Sequence, residues 1–132
     1  PALVVVPTFL CAQWKESAMK WLSLSPSSIQ IIRNIKSSIL DTKKIVIISY
    51  ELLRMEDRFQ VTTSGEPWKI LICDESHRLK NKESHRFKAL LPIAQAAARV
   101  VLLSGTPVPN SNAEIWAQLS LLLPAEVLPG FE

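Results

Sequence analysis

Asp74-Glu75-Ser76-His77 follows the apolar run Ile70-Leu71-Ile72-Cys73 and leads into Arg78-Leu79-Lys80-Asn81. Two adjacent carboxylates at the end of a buried strand are a costly arrangement, because ionised carboxylates disfavour apolar surroundings unless something neutralises them. A magnesium ion carrying a nucleotide phosphate is the usual partner at such a place. Asp74 is suited to hold the ion through its hydration shell, and Glu75 to orient and polarise an attacking water. Successive residues at a strand end point in different directions, one towards the metal and one towards the nucleophile. His77 is expected to bond across to Ser104 or Thr106 in the segment Ser104-Gly105-Thr106-Pro107. That segment ends another apolar strand and offers two hydroxyls on a tight turn. The competing reading of the acidic pair is a surface Asp-Glu capping a helix.

These groups need a scaffold that brings strand ends together. Leu3 to Val6, Ile45 to Ile48, Trp68 to Cys73 and Arg99 to Leu103 read as buried strands, with Ile29 to Arg33 a shorter one. Helical patterns lie between them. One runs from about Phe9 to Leu22, capped by Thr8, with Leu10, Trp14, Ala18 and Trp21 or Leu22 on its core face. Another opens at Ser49-Tyr50 and runs to about Asp57. A third covers Lys82 to Ala98, broken or restarted at Pro92. The last is Ala113 to Leu123, capped by Asn112, with Ile115, Leu119 and Leu122 facing the core. Asn34 to Lys44 is polar and reads as loop or a frayed helix, and Thr62 to Pro67 as a turn carrying Gly65. Continuously apolar strands followed by amphipathic helices imply an α/β fold, a mainly parallel sheet with helices on both faces. In such a sheet ligands sit beyond the carboxyl ends of the strands. Pro7-Thr8, Ser49-Tyr50, Asp74-Glu75 and Ser104-Gly105-Thr106 are therefore expected on one rim.

The bulk properties narrow the alternatives. At 132 residues, 48% hydrophobic and 20% charged, the chain suits one globular domain at most. Its longest apolar stretches are far too short to span a bilayer, so no membrane partner is expected. A net charge of +3 and a pI near 9.1 permit nucleic-acid binding without arguing for it. Cys11 and Cys73 lie in a helical pattern and a core strand, which fits packing roles in a reducing compartment. His77, His85, Asp74 and Glu75 match no zinc spacing. The basic run Arg78, Lys80, Lys82, Arg86 and Lys88 suits either phosphate contact or a solvated face. Trp14, Trp21, Trp68 and Trp116 read as core rather than as base-stacking platforms.

In this order the motifs resemble those of the Swi/Snf-like branch of superfamily-two helicases, the double-stranded DNA translocases. Leu3 to Pro7 with Gln13-Trp14 looks like motif Ia, and Ile45 to Glu51 looks like motif Ib. Asp74 to Asn81 looks like motif II, and Leu102 to Asn110 looks like motif III. Glu114-Ile115-Trp116 and Leu121 to Pro124 also fit. The Asp-Glu-Ser-His form, with Leu91-Pro92-Ile93 and Ala113-Glu114, is most similar to the annealing-helicase and fork-remodelling subfamily.

The resemblance implies a RecA-like lobe that binds ATP and Mg2+ and tracks on double-stranded or forked DNA. Asp74, Glu75 and His77 would be catalytic, with the magnesium held by Asp74 through water. Ser104, Gly105 and Thr106 would couple hydrolysis to movement. Pro7, Thr8, Ser49 and Tyr50 would touch the DNA backbone. The location implied is the nucleus in a eukaryote and the cytoplasm otherwise.

One part of the family pattern is missing. Gly65, Gly105 and Gly130 are the chain's glycines, and none belongs to a G-x-x-x-x-G-K-[ST] phosphate loop. Residues 1–132 are thus expected to be a fragment of lobe one. The phosphate-loop segment and a second RecA-like lobe would be its partners, and the isolated chain is expected to be inactive. Without the phosphate-loop strand, Arg99 to Leu103 is expected to be an exposed apolar edge. The alternatives are a non-enzymatic DNA- or protein-binding module derived from such a lobe, or an unrelated α/β hydrolase using Asp74 and Glu75 with another set of metal ligands.

Overall fold

The computed structural model describes residues 1–105, 112–123 and 127. Five strands form one wholly parallel sheet: β1 (Ala2–Val6), β2 (Ile29–Ile31), β3 (Ile45–Ser49), β4 (Ile70–Cys73) and β5 (Arg99–Leu102). Their spatial order is β2-β3-β1-β4-β5. The expected α/β architecture is what forms, and each expected strand is present to within a residue or two at its ends.

Strand β1 lies at the centre because it can be buried on both faces. Its side chains alternate. Leu3 and Val5 join a large core with Val46, Ile48, Leu71 and Cys73, closed by Tyr50, Leu53, Phe59, Trp68, Phe87, Leu90 and Ile93. Val4 and Val6 point the other way, into a smaller core with Cys11, Ala18, Ile29 and Ile47. A strand apolar at every position satisfies both.

Helix α1 (Cys11–Leu22) covers the smaller core, while α2 (Tyr50–Leu53), α3 (His85–Ala96) and α4 (Asn112–Leu122) lie on the larger. Several expected details are corrected here. Thr8 does not cap α1. The residues Thr8–Leu10 form a tight 3-10 turn, and no side chain caps the start of either element. Trp21 and Leu22 are exposed at 75% and 60%. They share the angular position of the core face but fall in the last turn of α1. The second helix stops at Leu53 rather than near Asp57, and a separate 3-10 turn takes Asp57–Gln60. The third starts at His85, where Ser84 Oγ accepts from Phe87 N at 3.2 Å, and continues through Pro92 without a break.

Helix α4 turns a different face inward. Ala117 and Leu121 are buried, whereas Ile115 and Leu122, expected in the core, are exposed. This helix is apolar nearly all the way round, so periodicity alone selects no unique face. Asn112 opens α4, but its side chain, like Thr106 to Asn110, lies outside the described residues. At the other end of the sheet order, β5 forms an edge on which Val101 and Leu103 are more than a third exposed. Arg99 is exposed too, so the edge is not apolar throughout.

Candidate active site at the carboxyl rim

Register fixes which residues share the rim. Val6 pairs with Ser49, Val5 pairs with both Ile48 and Cys73, and Cys73 pairs with Leu102. The residues that follow therefore emerge side by side. They are Tyr50 beyond β3, Pro7-Thr8 beyond β1, Asp74-Glu75 beyond β4, and Ser104-Gly105 beyond β5. The ladder persists slightly past the strands. Asp74 N donates to Val5 O at 2.9 Å, Leu103 N to Cys73 O at 2.8 Å, and Ser76 N to Leu103 O at 2.8 Å.

Asp74 is held from both faces of the sheet. From the larger core, the Tyr50 hydroxyl donates to the Asp74 carbonyl at 2.6 Å. Burial above all, then the nearness of Cys73 and Asp74, pushes the Tyr50 phenol well above its ordinary range, so it stays a donor. The neighbouring Cys73 thiol is buried too, and burial pushes it up to about 12. From the smaller core's side, the Trp14 indole Nε1 donates to Asp74 Oδ2 at 2.8 Å. The second carboxylate oxygen, Oδ1, accepts from Glu75 N at 2.8 Å.

Glu75 occupies the left-handed region, with φ 52° and ψ 45°. A side chain there costs about 1–2 kcal/mol, and the 3-10 turn Ser76–Leu79 starts immediately after it. This backbone reversal swings Glu75 away from the line of Asp74. Its Oε2 lies 3.1 Å from His77 Nδ1, and the same Nδ1 lies 3.2 Å from Ser104 Oγ. Nδ1 thus faces both the Glu75 carboxylate and the Ser104 hydroxyl, and the three side chains form one chain of contacts. Both Glu75 and His77 remain about two-fifths exposed, at 39% and 41%, so solvent screens the pair. The expected contact from His77 to Ser104 is therefore present. Ser76 is buried beneath them, its hydroxyl donating to Gln118 of α4 at 3.2 Å.

The donor set bears on which metal could sit here. Among the described residues no cluster of three or more His, Cys, Asp or Glu forms a cage. Each oxygen of Asp74 already takes one donor and retains a second lone-pair site. One half-exposed carboxylate with free lone pairs fits magnesium, which keeps its waters and is completed by substrate phosphates. It does not fit a metal enclosed by protein ligands.

Two of the residues expected to meet DNA are turned inward, which corrects that expectation for their side chains. Ser49 is 2% exposed, and its hydroxyl accepts from Leu52 N to cap α2. Tyr50 is spent on Asp74. Pro7 is buried as well, which leaves Thr8, with Phe9 beside it, exposed on this stretch of rim. Gly105 is exposed next to Ser104, while Thr106 lies outside the described residues. The basic run is largely engaged with acids. Lys80 pairs with Glu114 at 3.4 Å, Arg86 with Glu51 at 2.5 Å, and Lys88 with Glu83 at 2.7 Å. Sequence reasoning placed Trp14 in the core and missed its bond to Asp74. An indole in a helix that follows a rim segment was the available signal, since a half-buried N–H needs an acceptor.

A family model described as the SNF2-related domain matches residues 1–128. The human DNA annealing helicase and endonuclease ZRANB3 is 36% identical over 94% of this chain, which spans 12% of that protein. A Xenopus laevis SWI/SNF-related matrix-associated actin-dependent regulator of chromatin, subfamily A-like protein 1, is 39% identical over 94% of the chain and 12% of its own length. The rice DNA repair and recombination protein RAD54 is 32% identical over 93% of the chain and 13% of its own length. In fold, the chain is similar to the Sulfolobus solfataricus SWI2/SNF2 ATPase core solved in complex with dsDNA. The TM-score is 0.80 at 24% identity, over 95% of this chain and 25% of that one. With residues 1–128 of 132 matched, the chain belongs to the SNF2-related domain family.

Proposed function

We propose that this SNF2-related chain supplies the metal- and water-handling half of an ATP-hydrolysing site in a DNA translocase of the annealing-helicase and fork-remodelling kind. The observation that carries this reading is the rim itself. Asp74 is fixed by four hydrogen bonds, and Glu75 stands beside it, linked through His77 to Ser104.

Each residue has a distinct role in this reading. Asp74 holds Mg2+ through metal-bound waters, using the lone pairs that Trp14 and the Glu75 amide leave open. When bound, the ion would supply positive charge to offset that developing on the nucleotide phosphates. Glu75 accepts a hydrogen bond from the attacking water and aligns it. His77 stands between Glu75 and Ser104, so a shift of the Ser104-Gly105-Thr106 segment changes how firmly Glu75 is held. That is how motif III couples hydrolysis to movement. Thr8 and the backbone around Pro7, Ser49 and Tyr50 meet the phosphate backbone of double-stranded or forked DNA. Such contact is independent of sequence and weakens with salt.

The 132 residues contain no G-x-x-x-x-G-K-[ST] sequence. The β- and γ-phosphates must then be cradled by a phosphate-loop segment and a second RecA-like lobe acting with this chain. These residues alone do not hydrolyse ATP. The described residues include no helix long and apolar enough to cross a membrane. In a eukaryotic source the working location is the nucleus, where the DNA is.

The experiment is ATP turnover by the complete protein with and without duplex or forked DNA, compared with its Asp74→Ala and Glu75→Gln variants. DNA-stimulated turnover in the parent and its loss in both variants is the expected result. Undiminished turnover in Asp74→Ala would overturn the reading.

A further inference from the structure

We infer that Trp14 is a positioning residue for the metal-binding carboxylate. Its indole N–H sets the plane of Asp74 and thereby the magnesium demand of the site. The inference rests on the reading of Asp74 given above.

A carboxylate held at one oxygen can still pivot about that contact. Asp74 is held at two. The Glu75 amide fixes Oδ1 at 2.8 Å and Trp14 Nε1 fixes Oδ2 at 2.8 Å. Two donors on different oxygens determine the orientation of the group, and one lone-pair site stays open on each oxygen. The amide is local to the acidic turn and comes with any residue at position 75. The indole is sixty positions away in sequence, on a helix packed against the opposite core from Tyr50. It is therefore the contact that sequence could vary and that function could select.

Packing alone does not require a tryptophan here. Phe or Leu would fill an apolar position in α1 without a polar N–H to satisfy. Trp14 and Asp74 also line a small cleft of about 160 Å³ together with Leu10, Gln13 and Ser17. That cleft gives water a route to the carboxylate. A hydrogen bond to a charged acceptor is among the stronger kinds, and one that also orients a ligand acts on the ion as well as on the fold. Helix α1 grows out of the exposed Thr8 turn, so the carboxylate is tied through one helix to that stretch of the rim.

The test is equilibrium binding of a fluorescent ADP analogue to the complete protein, titrated with Mg2+. The variants are Trp14→Phe, Asp74→Ala, and a protein carrying the benzothiophene isostere of tryptophan at position 14. The isostere keeps the shape of the ring and lacks the donor. Both Trp14 replacements are expected to raise the half-saturating Mg2+ by about tenfold, with duplex affinity in the absence of nucleotide unchanged. The isostere is also expected to keep the parent's thermal midpoint, which separates positioning from packing. If Trp14→Phe fails to fold, the isostere carries the test. Parent-like Mg2+ dependence in the isostere, alongside an altered Asp74→Ala, would sink this inference alone. Unchanged Mg2+ dependence in Asp74→Ala would remove the metal reading and the inference together.

Discussion

The two rims of the sheet differ in what they offer. At the amino-terminal rim lies a cavity of about 610 Å³, lined by Ile39, Leu40, Pro67, Trp68, Ala96 and Ala98 among others. Trp68 there is buried, and its indole donates to Phe59 O at 3.0 Å. At the carboxyl-terminal rim the cleft beside Asp74 is about a quarter of that size, yet it is this rim that carries both carboxylates, the histidine and the Ser104 hydroxyl. Parallel strands account for the asymmetry. Every βα connection leaves from the same end, so turns, caps and polar side chains gather there. The opposite end is free to be shaped by packing. Room and chemistry are thus separated by the length of a strand.

Substitutions at the two rims should accordingly fail in different ways. The largest effect is expected for Glu75→Gln in the complete protein. ATP turnover should fall about a thousandfold while nucleotide binding is retained; parallel loss of binding would make Glu75 a structural residue instead. Next is Trp68→Ala at the amino-terminal rim. Urea unfolding should show a loss of about 3 kcal/mol, with turnover per folded molecule intact. A collapse of turnover without loss of stability would break the comparison.

A third prediction concerns pH. Cys73 is raised in the folded state to about 12 by burial, whereas an unfolded thiol titrates near 9. Above pH 9 the unfolded chain releases this proton and the folded chain keeps it. Stability should therefore fall as pH rises, by about 1.4 kcal/mol per pH unit from this one group. The difference in slope between the parent and Cys73→Ala between pH 9 and 11 measures it, and identical slopes would refute it. A smaller effect, about 1 kcal/mol of stability, is expected for Tyr50→Phe, which deprives the Asp74 carbonyl of its donor; a loss several times greater would mean that the hydroxyl anchors more than this carbonyl. The smallest is Lys88→Ala. Its partner Glu83 is fully exposed, and although Lys88 lowers the Glu83 carboxyl from its ordinary range, the unfolding midpoint should not move measurably.

Much of the fold could be read from the chain because fully buried parallel strands leave an unambiguous mark. Val4-Val5-Val6 and Val46-Ile47-Ile48 admit no solvent face, and the residues after them had to share a rim. Helix faces were harder to read. Trp21 and Leu22 lie at the correct angle on α1, but a helical wheel is blind to how far the sheet extends along the axis. Helix α4 carries apolar residues on every side, and of the face expected inward Ile115 and Leu122 proved exposed and Leu119 half-buried. The site was half legible. Adjacent carboxylates announce themselves by type and spacing. Ser49 and Tyr50 illustrate the other half. Both are polar residues at a strand end, and nothing local distinguishes a hydroxyl aimed at a ligand from one that caps a helix or supports a neighbour's carbonyl. The bond from Trp14 to Asp74 joins two helical-period and strand-period segments, a relation that no local pattern encodes.

The left-handed backbone at Glu75 has a consequence for inheritance. At φ 52° glycine would sit without strain, and its substitution for glutamate there would relieve the fold while deleting the carboxylate proposed to align water. Under the proposed role, stability and activity pull in opposite directions at one codon. A lineage that kept this glutamate was paying a conformational tax in every generation, and one released from hydrolysis would be expected to drift towards glycine or asparagine at this position before its core showed any change.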